Sequence, residues 1–122
     1  MTTPRRYWAV RGATTVDRDD PALITEAVSE LLSRIEDANG ITSDRVVSAL
    51  FTMTGDLNSA FPARVARHHG WTDVPMLCAV EIPVPGSLQR CIRALIHVEF
   101  EEPRTEVTHA YLREAHDLRE RT

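Results

Sequence analysis

VPMLCAVEIPVPGSLQRCIRALIHVEF, residues 74–100, reads as two apolar strands, Met76 to Pro83 and Cys91 to Phe100. Pro85-Gly86 supplies the turn signal of a hairpin between them. Side chains alternate along a strand, so Cys91, Arg93, Leu95 and His97 share one face of the second strand. Ile92, Ala94, Ile96 and Val98 share the other; this set is uniformly apolar and is expected to face helices. Arg93 thus sits at the centre of an apolar strand, with Glu81 in the first strand as its natural partner. A charge is costly to bury unpaired, and a guanidinium held this way is also what an anionic ligand requires.

Working outward, Arg6 to Ala13 is β-prone, with Tyr7, Ala9 and Arg11 on one face and Trp8 and Val10 on the other. Gly12 permits a bend or a close backbone approach. Thr14 to Asp20 reads as a polar loop. Asp20-Pro21 opens a helix, an N-cap acid followed by proline at the first helical position. Ile24, Ala27, Leu31, Ile35 and Ala38 keep helical spacing, and Asn39-Gly40 ends the helix. Val46 to Met53 reads as a buried strand, and Pro62 to Gly70 as a short helix carrying Arg64 and Arg67 on one face. Pro103 is expected to close the strand after Phe100. A last helix is expected from about Thr105, with Val107, Ala110, Tyr111, Glu114, Ala115 and Leu118 inward and Arg119 at its end or in a short tail. The order strand, helix, strand, short helix, hairpin, helix predicts an α+β or mixed α/β fold.

A chain of 122 residues supports one domain, 1–122, with one core. The net charge of −4 argues against a general nucleic-acid binder. All 14 of its Lys and Arg residues are Arg, leaving a chain rich in planar forks that suit carboxylates. Cys78 and Cys91 have no metal-ligand spacing and lie in apolar runs, so both are expected as buried free thiols in a reducing compartment. Arg5-Arg6 is followed by no apolar signal core, because Arg11 and Asp17 to Asp20 interrupt it. No run approaches the length of a membrane span, and the expected location is cytoplasmic.

The motifs of nucleotide, zinc-protease, serine-hydrolase and EF-hand sites are missing from the sequence. His68-His69 and the pair His109/His116 lack metal-binding company, and a solvated helix face accounts for the latter pair. The remaining constellation is a set of arginines at structured positions: Arg11, Arg64, Arg67, Arg93 and Arg119, with Glu81 and Tyr111 as polar companions. These residues by themselves leave two accounts open, an anion-binding pocket and a structural ion-pair network, with the pocket somewhat favoured.

Tyr7 to Val16 (YWAVRGATTV), Asp56-Leu57, Phe61-Pro62-Ala63, Gly70-Trp71, Val74-Pro75, Cys78 and Glu81, Cys91-Ile92-Arg93 and His109 to Leu112 (HAYL) together resemble the AroH class of monofunctional chorismate mutases. The resemblance runs in order over nearly the whole chain. It implies a pseudo-α/β-barrel homotrimer with active sites in the clefts between subunits, and conversion of chorismate to prephenate on the route to phenylalanine and tyrosine. It implies no metal and no other cofactor, because the reaction is a pericyclic shift within one molecule. By motif position it implies catalytic roles for Arg93, Glu81, Arg11 and Tyr111. It further implies substrate contacts from Leu77 and Cys78, from Phe61, Ala63, Arg64 and Arg67 of a neighbouring subunit, and from Leu118 and Arg119 as a C-terminal flap. The alternative is a non-catalytic trimer that binds an aromatic-pathway metabolite.

Overall fold

The computed structural model describes residues 3–120, with side chains described as far as Leu118. Asp20 caps helix α1 (Pro21–Asn39) as expected: its Oδ1 accepts from the backbone N–H groups of Ala22 and Leu23 at 2.9 and 3.2 Å. Gly40 ends the helix in the left-handed conformation, φ 62°. The stripe Ile24, Ala27, Val28, Leu31, Leu32 and Ile35 is fully buried. It packs on a mixed sheet of β1 (Arg5–Thr15), β2 (Val46–Met53), β3 (Met76–Val80), β4 (Cys91–Arg104) and β5 (Ala110–Tyr111). The strand order is β3-β2-β4-β1-β5. Helix α2 (Pro62–His69) lies on the same core through Ala63, Val65 and Ala66. Glu36 ties the two helices together, accepting from Trp71 Nε1 at 2.9 Å and meeting His69 Nε2 at 2.8 Å.

The apolar face of β4 is as expected: Ile92, Ala94, Ile96 and Val98 are all buried. Gly12 serves close approach rather than a bend. A Cβ there would lie 2.8 Å from Ile35 Cδ1 and 3.1 Å from Leu31 Cδ1, so glycine lets β1 lie directly under α1.

Several expectations need correction. The expected hairpin is not formed, because β2 lies between β3 and β4, parallel to the first and antiparallel to the second. A turn does form at Pro85-Gly86, with Ser87 N–H donating to Val84 O at 3.0 Å. It bends the connection from Glu81 to Arg90 rather than joining paired strands, and β2 is inserted between β3 and the central β4. β1 extends through Thr14 and Thr15, which were expected in a loop, and both are buried against partners on β4. Pro103 lies inside β4, which continues to Arg104.

The expected final helix is replaced by β5 and a 3-10 segment (Arg113–Glu120). The edge of β1 captures this part of the chain: Leu112 N–H donates to Ala13 O at 2.9 Å, and Asn39 at the end of α1 bonds both N–H and C=O of Thr108. Ala110, Ala115 and Leu118 are buried as expected, but Glu114 is exposed. Cys91 is a buried free thiol; Cys78, on the outermost strand, is exposed. Among the described residues, no helix is long and apolar enough to cross a membrane.

Candidate active site

Cross-strand partners put their side chains on the same face of a sheet. Arg93 is registered against Thr52 on β2 and Ala13 on β1, and Leu95 against Leu50 and Arg11. On the far side of β1, Tyr111 is registered against Ala13. The sheet face turned away from the helices therefore gathers Arg11, Thr52, Arg93 and Tyr111 around one cleft of about 220 Å³, with Leu118 on its wall.

Arg93 lines that cleft, and its Nε lies 3.6 Å from Glu81 Oε2, an ion pair too long for a hydrogen bond. Both side chains are partly screened from water, 33% and 21% exposed. Glu81 Oε2 also accepts a hydrogen bond from the Thr52 hydroxyl. Arg93 Nε and the Tyr111 hydroxyl are buried with no hydrogen-bond partner among the described residues. Buried polar atoms are nearly always paired, so these two mark the cleft as chemically unfinished. Burial pushes the Cys91 thiol above its ordinary range, while the neighbouring Arg93 charge pulls it the other way.

Arg11 carries its guanidinium 5.9 Å from the centre of the Tyr111 ring. Its backbone N–H donates to Nδ1 of His109 at 2.9 Å, so that nitrogen must be unprotonated. Burial, and then the Arg11 charge, holds His109 below its usual range. His109 is exposed, as expected, but it lies outside any helix and acts as a strut for β1. Leu118 is seated by the 3-10 segment, which Arg113 fastens to Thr15 O at 3.1 Å and to Glu30 Oε1 at 3.3 Å.

Other expected site residues lie elsewhere in the chain. Leu77 shares the Arg93 face by its register with Leu50 but is 72% exposed at the outermost strand. Cys78 alternates to the opposite face and lines a separate cavity of about 710 Å³ with Phe61 and Arg64. Ala63 is buried beneath α2, and Arg67 is exposed on it. Arg119 falls outside the residues whose side chains are described. Thr52 was missed by the sequence reading. Its signal was a hydroxyl at the next-to-last position of a mostly apolar strand.

Residues 7–122 match the family model described as chorismate mutase type I. The chain belongs to the chorismate mutase type I family. It is 50% identical over 111 residues to the chorismate mutase AroH of Thermus thermophilus, covering 90% of this chain and 91% of that one. It is 38% identical over 111 residues to the chorismate mutase AroH of Bacillus subtilis, covering 90% and 87% of the two chains. The fold is similar to that of a chorismate mutase from Clostridium thermocellum, with a TM-score of 0.85 and 42% identity over 88% of this chain and 96% of that one. Sequence and fold thus agree on the chorismate mutase type I family.

Proposed function

We propose that the chain is one chorismate mutase domain, residues 1–122, that rearranges chorismate to prephenate in phenylalanine and tyrosine biosynthesis. The observation that carries this reading is the cleft in which Arg93, paired with Glu81, faces Arg11 and Tyr111. The rearrangement breaks a C–O bond and forms a C–C bond within one molecule, so it asks for no proton transfer, nucleophile, metal or other cofactor. It asks for two services: a dicarboxylate held in its compact reactive conformer, and stabilisation of the negative charge that grows on the ether oxygen.

Arg93 donates to that ether oxygen, and one preorganised donor of this kind contributes about 3–4 kcal/mol. Arg11 and the Tyr111 hydroxyl hold carboxylate. Glu81 accepts from the ring hydroxyl and keeps Arg93 aimed into the cleft. The buried Arg93 Nε and Tyr111 hydroxyl, neither of which makes a hydrogen bond among the described residues, support this assignment, because an anionic ligand would supply one to each.

The working unit in this proposal is a homotrimer with its sites between subunits. Phe61, Ala63, Arg64 and Arg67 do not line the Arg93 cleft of their own chain; they complete the cleft of a neighbour, meeting its Leu77 and Cys78, while Leu118 and Arg119 close over it. The exposed apolar side chains of Phe61, Leu77, Val80 and Ile82 support such an assembly.

The direct test follows chorismate absorbance with purified protein and no added metal. Acceleration over the spontaneous reaction is expected. Binding without acceleration would instead support a non-catalytic metabolite binder.

A further inference from the structure

The Arg93–Glu81 pair is not held by its own two strands. Glu81 follows the last residue of β3, while Arg93 lies on β4, and β2 runs between. The carboxylate therefore reaches over β2. Thr52 is the β2 residue registered against Arg93 on one side and Ala79 on the other. Its hydroxyl donates to Glu81 Oε2, the oxygen that also faces Arg93 Nε at 3.6 Å. The backbone of Glu81 is fixed on the same strand, its N–H donating to Met53 O at 2.9 Å.

We infer that Thr52 is a positioning residue for the Arg93–Glu81 pair, setting the carboxylate rotamer and through it the aim of the guanidinium. The inference rests on the reading of the cleft as a chorismate mutase site. Glu81 has two Oε atoms and several rotamers, and its ion pair with Arg93 alone is too long to select one. A hydroxyl hydrogen bond to a carboxylate is directional and charge-assisted. It leaves Oε1 available to a ligand while fixing Oε2 toward Arg93. A methyl group in place of the hydroxyl would preserve the shape of β2 yet release the carboxylate. Thr52 lines the cleft, but its hydroxyl is occupied by Glu81, so it acts on the reaction through that residue.

The test compares Thr52→Val, Thr52→Ser and Glu81→Gln with the combined Thr52→Val/Glu81→Gln enzyme, using chorismate turnover and thermal unfolding. Thr52→Val is expected to lower kcat about tenfold or more, the effect of losing one hydrogen bond to a charged group, with a smaller change in KM and little change in melting temperature. Thr52→Ser keeps the hydroxyl and is expected to restore kcat. Adding Thr52→Val to Glu81→Gln is expected to cost far less than it costs the wild-type enzyme, because a residue that acts through Glu81 has little left to act on. Wild-type kcat in Thr52→Val, no rescue by Thr52→Ser, or fully additive losses in the combined enzyme would each overturn the positioning role. Failure of the wild-type protein to turn over chorismate would overturn the reading of the site itself.

Discussion

Glu81 Oε2 and Arg93 Nε lie 3.6 Å apart although the strands that deliver them are not neighbours. The pair spans β2, and it exists because both residues face away from the helices, on the solvent side of a sheet whose other side is filled by α1 and α2. A partly screened ion pair in that place adds little to stability and a good deal to preorganisation. Its value lies in keeping one cation oriented before a substrate arrives.

The proposed intersubunit site predicts complementation. Arg93→Ala and Arg67→Ala proteins, each expected to be impaired alone, should regain activity when their subunits are exchanged. At equal mixing about a quarter of the sites would combine the intact Arg93 of one chain with the intact Arg67 of its neighbour. No recovery, with exchange verified by mass spectrometry, would contradict a shared site.

In the proposed trimer the outermost strand lies at the subunit interface. Leu77 is 72% and Ile82 79% exposed in the single chain, and a carboxylate buried among such residues would be unpaired. Leu77→Glu is expected to convert a trimer to smaller species in light scattering and to abolish turnover with it. A variant with the wild-type mass would place the interface elsewhere.

Gly12→Ala tests the contact between β1 and α1. The added methyl would lie 2.8 Å from Cδ1 of Ile35 and 3.1 Å from Cδ1 of Leu31, both of them fully buried side chains. Overpacking costs about 1–3 kcal/mol, against about 0.4–1 kcal/mol recovered from a less flexible unfolded chain, so destabilisation should win in urea unfolding. Ile35→Val removes the offending carbon. The double variant should therefore be less destabilised than the sum of the single changes.

His109 predicts a pH dependence of stability. Its folded-state pKa is lowered from 6.5, first by burial and then by Arg11, so the unfolded chain takes up the proton more readily. The stabilisation is fully present above 6.5 and is lost as pH falls toward the lowered folded value. Protonation would also remove the Nδ1 acceptor from the Arg11 N–H. His109→Gln, which does not titrate, should flatten the acid side of the unfolding profile. An unchanged slope would mean that other groups set it.

Much of this was legible in the residues. Helix α1 followed from Asp20-Pro21 and Asn39-Gly40 because capping is local chemistry, and the two faces of β4 followed from alternation. Strand order was not legible: Pro85-Gly86 does make a turn, but which strand lies beside which depends on burial summed over the whole sheet. The β5 edge was missed because Ala110, Ala115 and Leu118 keep a spacing that also suits a helix, while the β1 partners of Ala110, Tyr111 and Leu112 lie about a hundred residues away. Arg93, Glu81, Arg11 and Tyr111 stood out as charged and polar groups at structured positions, their catalytic roles came from motif position, and the fold brings them to one face. Thr52 escaped notice because its importance lies in a contact with Glu81, 29 positions distant, rather than in any motif.

The central claim is that Arg93 stabilises the charge formed as the ether bond breaks. Steady-state kinetics of Arg93→Ala on chorismate tests it most directly. A fall in kcat of about 100- to 1,000-fold with a much smaller rise in KM is predicted, the pattern of an interaction made in the transition state. A near-normal kcat with a raised KM would reduce Arg93 to a substrate anchor and contradict the account.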